Sequence, residues 1–297
     1  MLEERTMNEV CKTWYARVRA NPQRIVLADL ADPRGQAAAQ RLTDEGLAVV
    51  VPPEVDYVLG QQAVAVGLDP TQPVVAATLL LADGQADAVV AGATCPTADV
   101  LRAGLRILGV APDASVVSSC FFMLLASGQP VAFADCGVIP DPTEEELAAI
   151  AVATANTFSE LTGQEPRVAM LSFSTKGSAQ HPKVDKVRAA TALVQAQHPE
   201  LLIAGELQFD AAWVPEVAAS KASGSAVAGR ANVMVFPDLD SANLAYKITE
   251  RLAGARAFGP LIQGLNGVMH DLSRGCPADD IVDVSVIASW QATARQG

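Results

Sequence analysis

The sequence predicts a two-domain, mostly parallel α/β protein, because three of its features are typical of that class. Apolar runs of strand length alternate with longer, Ala-rich segments of helical periodicity, which is the pattern of parallel sheets covered by helices. Hydrophobic residues make up 50% of the chain and charged residues only 18%, which excludes global disorder. The length of 297 residues exceeds what one hydrophobic core usually supports. We therefore expect two lobes, each an α/β/α sandwich.

The first part of the chain predicts two strand–helix repeats in succession. The run "RIVLADLAD" (24–32) has the character of a buried parallel strand, because it is apolar and ends in a polar loop. The helix "PRGQAAAQRLTDEG" follows and is closed by Gly46, since glycine is common just past a helix C-terminus. The other elements expected in this part are a polar N-terminal helix, a strand in "LAVVVPP", a helix over 73–84, a strand over 86–93 and a helix over 97–109.

From about residue 115 the pattern changes. Two apolar runs, "SVVSSCFFMLLA" and "PVAFADCGVIP", are separated only by "SGQ", which predicts adjacent strands joined by a hairpin. Thr143 and Glu146 have the spacing of a capping box, so a helix is expected over 143–163. The later elements expected are strands over 167–174, 201–208 and 231–238, helices over 184–199 and 241–254, and a terminal helix or strand–helix from 281.

Charge, cysteine content and apolar run length restrict the partners of this chain. A net charge of −12 without any Lys/Arg run makes a nucleic-acid partner unlikely, although a small anion needs only a few local cations. Five cysteines with no CxxC spacing indicate neither a disulfide framework nor a zinc site. The N-terminal segment lacks the apolar core of a signal peptide, and the longest apolar run (74–82) is too short to cross a bilayer. We expect a cytoplasmic protein with no membrane partner.

Several segments carry groups that suit an anionic ligand, although each has a plainer interpretation. The segment "SFSTKGSAQHP" (172–182) follows a strand and precedes a helix, so its hydroxyls, Ser172 and Ser174 among them, either bind an anion or form an ordinary polar turn. Thr97 is a candidate helix cap. Arg102 and Arg106 are four residues apart and form either a phosphate-binding pair or, as base rates favour, a solvated stripe.

Further polar groups follow in the second half of the chain. Lys247 and Arg251 repeat the spacing of the arginine pair. Glu206, Gln208 and Asp210 alternate and are expected on one side of an extended strand, as a hydrogen-bonded wall or a solvated sheet face. The three histidines, His181, His198 and His270, are too few and scattered for a metal cluster and are expected on the surface or in loops. No common nucleotide-binding or hydrolase motif is present in the sequence.

The segment "DLSRGCPADDIVD" (271–283) concentrates the most unusual chemistry. Pro277 suits the first position of a helix, which would place Asp279 and Asp280 in its first turn, where the helix dipole stabilises carboxylates. That arrangement alone would be structural. Ser273 beside Arg274 on a glycine-flanked loop suits, in addition, a phosphoryl-bearing substrate whose carbonyl carbon is attacked by a thiol. The aspartates are only a weak indication of Mg²⁺.

Over roughly residues 86–285 the chain resembles the phosphate acetyltransferase (phosphotransacetylase) family. The segments that carry the resemblance occur in the family's order: "ADAVVAGA", "TADVLRAGL", "FADCGVIPDP", "PRVAMLSFSTKGSA", "KVRAAT", "GELQFDAA", "AGRANVMVFPDLDSANLAYKITERL", "GPLIQGLNG" and "DLSRGC". The resemblance implies a two-domain fold of the isocitrate/isopropylmalate dehydrogenase-like type and a homodimer. It also implies reversible acetyl transfer between acetyl phosphate and coenzyme A (CoA), with CoA as substrate and with neither cofactor nor metal.

The resemblance also assigns residues and domains. The family's active-site serine, arginine and aspartate fall on Ser273, Arg274 and Asp280, and its substrate-binding cations fall on Arg102, Lys247 and Arg251. We add Thr97, Ser172 and Ser174 as candidate substrate ligands. The first domain is expected to comprise 1–113 plus 259–297 and to carry the catalytic loop, and the second (114–258) to form the cleft wall and the dimer contact.

Three alternatives to an acetyltransferase stay open at this point. Pocket size decides between acetyl and a longer acyl group such as butyryl. A metal- and nicotinamide-dependent 2-hydroxy-acid dehydrogenase of the same fold would need converging aspartates and a nucleotide loop, which the "SFSTKGS" and "LSRG" segments do not resemble. The family's basic, glycine-containing segment has no counterpart in 54–73, which lacks Lys and Arg. A non-catalytic relative with impaired CoA binding is therefore the third alternative.

Overall fold

The computed structural model describes residues 8–295, which divide into two compact units. The first unit takes the chain up to Asp113 and again from Phe258, and the second is Ala114–Ala257. The α/β class predicted from the sequence is confirmed. The catalytic and dimerisation roles expected of the two domains stay predictions.

Helices and strands alternate through the described chain. Up to Asp113 they are α1 (Glu9–Ala20), β1 (Gln23–Leu27), α2 (Pro33–Asp44), β2 (Ala48–Val51), α3 (Tyr57–Ala65), α4 (Pro73–Ala82), β3 (Ala88–Ala91) and α5 (Thr97–Ala103), which continues as a π-helix (Gly104–Leu108). The second unit contains β4 (Ser118–Leu124), β5 (Pro130–Ala134), α6 (Glu144–Thr162), β6 (Arg167–Leu171), α7 (Pro182–Gln197), β7 (Leu202–Leu207), α8 (Phe209–Trp213), α9 (Pro215–Lys221), β8 (Val233–Val235) and α10 (Leu239–Ala253). The chain returns to the first unit within β9 (Arg256–Gln263) and ends with β10 (Val268–Asp271) and α11 (Ala278–Arg295).

The first unit is built on a four-stranded sheet of order β10-β3-β1-β2, in which every pair is parallel. Strand β3 is buried along its whole length, as expected for a strand covered on both faces. Helix α4 is buried from Val74 to Leu80. In α11, Asp283 accepts a buried hydrogen bond of 2.9 Å from the hydroxyl of Tyr15 in α1. These helices cover the sheet, so only its edges and loops are open to ligands.

The second unit contains five strands in the order β7-β6-β8-β5-β4. Strands β4 and β5 form the predicted antiparallel hairpin, with Cys120 opposite Ala134, while the other pairs are parallel. The predicted capping box of α6 is confirmed, because the Thr143 side chain accepts from the Glu146 amide and Glu146 accepts from the Thr143 amide. Local sequence signals therefore located these elements correctly.

Two sequence-based predictions about polar residues were wrong. Strand β7 ends at Leu207, Gln208 caps α8 and Asp210 lies in the first turn of that helix, so Glu206, Gln208 and Asp210 do not share one side of a strand. His270 is neither on the surface nor in a loop: it lies in β10 with 1% of its surface exposed. Its Nε2 lies 2.7 Å from Oε1 of Gln291, and burial lowers its pKa to about 4.

Two smaller differences concern helices. Helix α3 was not expected from the sequence, and α11 begins at Ala278 rather than at Pro277. Asp279 and Asp280 nevertheless lie in the first turn of α11, as predicted. None of the helices in residues 8–295 combines the length and apolar character needed to span a bilayer.

Candidate active site

Three loops leave the same edge of the first unit's sheet. Parallel strands β1, β3 and β10 end together at this edge, and they continue into residues 28–32, 92–96 and 272–277. From β1 the chain crosses to β2 on one side, whereas β3 lies on the other, so the strand order reverses between β1 and β3. Open α/β sheets bind ligands at such a reversal, outside the carboxyl ends of the strands. We therefore place the candidate active site here.

Ser273 and Arg274 lie together on the exposed β10–α11 loop (272–277). The amide of Cys276 donates to the Ser273 carbonyl over 2.9 Å, which closes a turn around the pair. Cys276 itself is buried beneath the turn. Within the described part of the chain, neither the Ser273 hydroxyl nor the Arg274 guanidinium has a hydrogen-bond or ion-pair partner. A hydroxyl donor and a permanently charged cation therefore lie side by side, exposed to solvent.

Asp280 follows this loop, half-buried in the first turn of α11. Its neighbour Asp279 is exposed and pairs with Arg41 over 2.9 Å. Burial raises the pKa of the Cys276 thiol to about 11, and the negative charge of Asp280 adds to that shift. Of the two aspartates, Asp280 is the one that lies beside the loop thiol rather than in the ion pair with Arg41.

The predicted ligand Thr97 is engaged within the protein. Its hydroxyl donates to Oδ2 of Asp271 over 2.5 Å, and Pro96, not Thr97, is the N-cap of α5, which corrects the capping prediction. Asp271 is 1% exposed, and burial raises its pKa to about 6. Its Oδ1 has no partner among the described residues. Thr97 therefore links α5 to the end of β10, directly before Ser273.

The two arginines of the α5 region have different partners. Arg102 pairs with Asp99 over 2.5 Å, and about half of its side chain is exposed. Arg106 donates to the carbonyls of Val66 and Gly67, at 3.1 and 3.3 Å. An exposed ion pair contributes little to stability, so Arg102 can exchange Asp99 for a phosphate at small cost. The structure does not bring the two arginines to one common partner.

In the second unit, the "SFSTKGS" turn surrounds a carboxylate of the protein itself. Glu206 is 2% exposed and accepts hydrogen bonds from the Ser174 hydroxyl (2.8 Å), the Gly177 amide (2.8 Å) and the Arg188 guanidinium (2.9 and 3.0 Å). Burial alone would raise the pKa of Glu206, but these hydrogen bonds outweigh it and lower the pKa to about 2. The group that this turn binds is thus a carboxylate of the protein itself, and the role of Ser172 and Ser174 as substrate ligands stays a prediction.

The remaining predicted ligands are partly or fully exposed. Ser172 is half-buried, and its hydroxyl accepts from the Ser174 amide over 3.3 Å. Lys247 and Arg251 are both exposed on α10, where the Lys247 Nζ lies 5.7 Å from the centroid of the Tyr246 ring. Arg251 is 3.6 Å from Glu250 with 77% of its side chain exposed. Both cations are therefore accessible to an anionic ligand.

Sequence reasoning missed two residues that shape the first unit's site. Asp29, after β1, is buried and accepts from the amides of Ala93 and Thr94 at 2.9 Å each. Arg34, in α2, donates to the carbonyls of Arg274 and Cys276. Asp29 lies in a strand-to-helix loop and Arg34 in the first turn of α2, which are weak signals, and apart from the Asp32–Arg34 pair the hydrogen bonds named here join positions at least 59 apart. No group of His, Cys, Asp and Glu suited to a metal ion occurs between residues 8 and 295.

Comparisons with known proteins show which family this chain resembles. A model of the family "Phosphate acetyl/butaryl transferase" matches residues 60–289. A phosphate acetyltransferase of Thermoanaerobacterium thermosaccharolyticum is 52% identical over 219 residues, which are 72% of this chain and 67% of that protein. One of Paracoccus denitrificans is 42% identical over 309 residues, or 93% and 97% of the two chains. The crystal structure of a phosphotransacetylase from Streptococcus pyogenes superimposes with a TM-score of 0.86 at 37% identity, covering 95% of this chain and 99% of that one.

Proposed function

The chain belongs to the phosphate acetyl/butyryl transferase family, and on that premise we propose that it transfers an acetyl group reversibly between acetyl phosphate and CoA. One structural observation supports the proposal: Ser273 and Arg274 are exposed, without protein partners among the described residues, on a loop at the strand-order reversal. Ligand-binding residues of α/β proteins occupy this position.

The chemistry follows from the groups on the β10–α11 loop. The CoA thiolate attacks the carbonyl carbon of acetyl phosphate, a C–S bond forms, and the bond between the carbonyl carbon and the phosphate oxygen breaks as phosphate leaves. The guanidinium of Arg274 binds the phosphate and neutralises the charge that grows on it. The Ser273 hydroxyl donates a hydrogen bond to the carbonyl or phosphate oxygen. Both groups act on charge that develops during the reaction, where preorganised donors contribute most.

Asp280 receives or orients the thiol proton in this proposal. A carboxylate in the first turn of a helix is stabilised in its ionised form, and a free thiol has a pKa near 8.5, so proton transfer to Asp280 is uphill. Orientation of the thiol by Asp280, together with the positive charge of Arg274 favouring the thiolate, is therefore the larger contribution. Since Arg274 supplies the positive charge, we propose that the reaction needs no metal or cofactor.

We also propose further substrate contacts, considered for each unit separately. In the first unit we propose Thr97 and Arg102, with Arg102 exchanging Asp99 for a phosphate group. In the second unit we propose Ser172, Ser174, Lys247 and Arg251, of which the two cations are exposed and Ser174 acts through its hydrogen bond to Glu206. Cytoplasmic location and a homodimer, both expected from the sequence, belong to the same proposal.

Thioester formation by purified protein tests the proposed function. Acetyl phosphate and CoA are supplied after dialysis against EDTA, and butyryl phosphate is run in parallel. Rapid turnover of acetyl phosphate is expected, and a preference for butyryl phosphate would keep the mechanism and change the acyl group. Absence of turnover with either substrate would support the non-catalytic alternative, and turnover that requires added Mg²⁺ would contradict the proposed metal independence.

A further inference from the structure

We infer that Arg34 is a positioning residue that holds the β10–α11 loop, with Ser273 and Arg274, against the β3–α5 loop (92–96). The kinetic part of this inference rests on the proposed function. Its structural part is independent of that function.

All five N–H groups of the Arg34 side chain have acceptors. Nη1 donates to the carbonyl oxygens of Arg274 and Cys276, both at 2.9 Å. Nη2 donates to the carbonyl oxygen of Ala93 at 2.9 Å and to Oδ2 of Asp32 at 3.1 Å. Nε donates to Oδ1 of Asp32 at 2.9 Å. The five donors of a guanidinium are fixed in one rigid plane. Any other orientation of that plane would therefore lose some of these hydrogen bonds.

Two of the three carbonyls that Arg34 binds, those of Arg274 and Cys276, lie on either side of Gly275. Residues 273–275 are exposed, and a Cβ built on Gly275 would meet no atom within 4 Å, so side-chain packing does not hold the loop here. Within the turn itself, the Cys276 amide donates to the Ser273 carbonyl. By fixing the peptide plane of Arg274, Arg34 sets the direction in which the Arg274 side chain leaves the backbone.

The third carbonyl connects the loop to the rest of the site. Ala93 precedes α5, and Asp29 binds its amide from the other side. Through Arg34, the segment that leads to Thr97 and Arg102 is joined to the segment that carries Ser273 and Arg274. Asp32 anchors the guanidinium by two bonds and also accepts from the Arg34 amide as the N-cap of α2. Lysine cannot reproduce this geometry, because its three donors diverge from one nitrogen.

Removal of the guanidinium is expected to impair turnover more than substrate binding. A displacement of about 1 Å in a reacting group can cost about 100-fold in rate. In Arg34→Met we expect kcat for thioester formation to fall about 100-fold, and KM for acetyl phosphate and CoA to change less than about threefold. Arg34→Lys should recover little. In Arg34→Ala, adding millimolar guanidinium ion should raise kcat about tenfold. A purely structural defect would not show this response.

Arg24→Met is the matched control. Arg24 also makes a two-bond pair with an aspartate in the first unit, to Asp87 at 2.7 and 3.0 Å, but it lies at the amino end of β1, away from the loops. We expect its kcat within about twofold of the wild type. Asp32→Asn is a second variant for use if Arg34→Met does not fold. Asparagine is an equally good N-cap, so this substitution removes only the negative charge that binds the Arg34 guanidinium. It should lower kcat about tenfold.

Amide hydrogen exchange at Cys276 tests the structural part without any substrate. Faster exchange in Arg34→Met than in the wild type and in Arg24→Met is expected, because the turn loses its external support. Unchanged exchange would overturn the inference, as would a kcat within about threefold of the wild type, or a defect confined to KM for CoA, which would make Arg34 a direct ligand contact. A wild-type protein that forms no thioester would refute the proposed function alone, and the exchange result would still decide the role of Arg34.

Discussion

Arg274 is exposed and has a central role in the proposed chemistry. We predict that Arg274→Ala lowers kcat for thioester formation at least about 100-fold, because the cation that neutralises the departing phosphate is lost. The free energy of unfolding in urea should change by less than about 0.5 kcal/mol, since an exposed side chain without protein partners is removed. Arg230→Ala, another exposed arginine, serves as the control for activity. Near-normal turnover in Arg274→Ala would remove the site assignment.

The lowered pKa of Glu206 predicts how the stability of the protein depends on pH. This pKa is about 2, below the ordinary value of 4.5. The folded protein holds the ionised form more tightly than the unfolded chain does. The resulting stabilisation is complete above about pH 4.5 and is lost as pH falls towards 2. Glu206→Gln should lower the free energy of unfolding at pH 6 by about 1 to 3 kcal/mol, because the Arg188 pair loses its charge.

The pH series distinguishes this effect from a general loss of packing. Measured by urea unfolding between pH 6 and pH 3, the difference between wild type and Glu206→Gln should shrink as the pH falls. Glu216→Gln, at an exposed position, should show no such trend. A constant difference across the series would mean that the charge of Glu206 is not what stabilises the "SFSTKGS" turn.

At the scale of elements, the junction of β3 with its following loop depends on Gly92. Its φ is +112°, and a Cβ built there would lie 2.1 Å from Oδ1 of Asp271. Gly84 also has a positive φ, +74°, but a Cβ there would meet no atom within 4 Å. Both substitutions therefore cause backbone strain at a positive φ, but only Gly92→Ala also places a methyl group against a buried carboxylate.

We predict that Gly92→Ala lowers the free energy of unfolding by at least about 2 kcal/mol more than Gly84→Ala, as measured by urea denaturation of both variants. Movement of Asp271 should also displace Ser273, so Gly92→Ala should lose activity and Gly84→Ala should keep it. Equal effects of the two substitutions would show that Asp271 accommodates the added methyl group.

Elements that depend on neighbouring residues were predictable, and those that depend on distant ones were not. The capping box at Thr143 and Glu146 involves donors and acceptors three positions apart, so the sequence displays it directly. The turn from β7 into α8 after Leu207 carries no comparable signal, and alternation of polar residues predicted a longer strand. His270 was misplaced for the same reason, since its burial depends on α11, where Gln291 supplies its partner.

At the scale of the whole molecule, the homodimer implied by the family stays a prediction. Light scattering of the purified protein should give a mass of about twice the 30.9 kDa of one chain. The mass should not depend on protein concentration in the micromolar range, since obligate dimers of metabolic enzymes form interfaces of large apolar area. A mass of one chain with full activity would contradict the prediction and show that a single copy carries a complete site.

The sequence by itself determined the α/β class, most of the strand and helix positions, the family, and the loop that carries Ser273 and Arg274. Hydrophobic periodicity, caps and motif order are all properties of short segments, so they can be read without a structure. Only the tertiary structure decided how the polar groups are used. The acceptors of Arg34 lie 2, 59, 240 and 242 positions away, and the hydroxyl of Ser174 binds a carboxylate 32 positions away. Strand order brings these groups together, and strand order is a property of the folded chain.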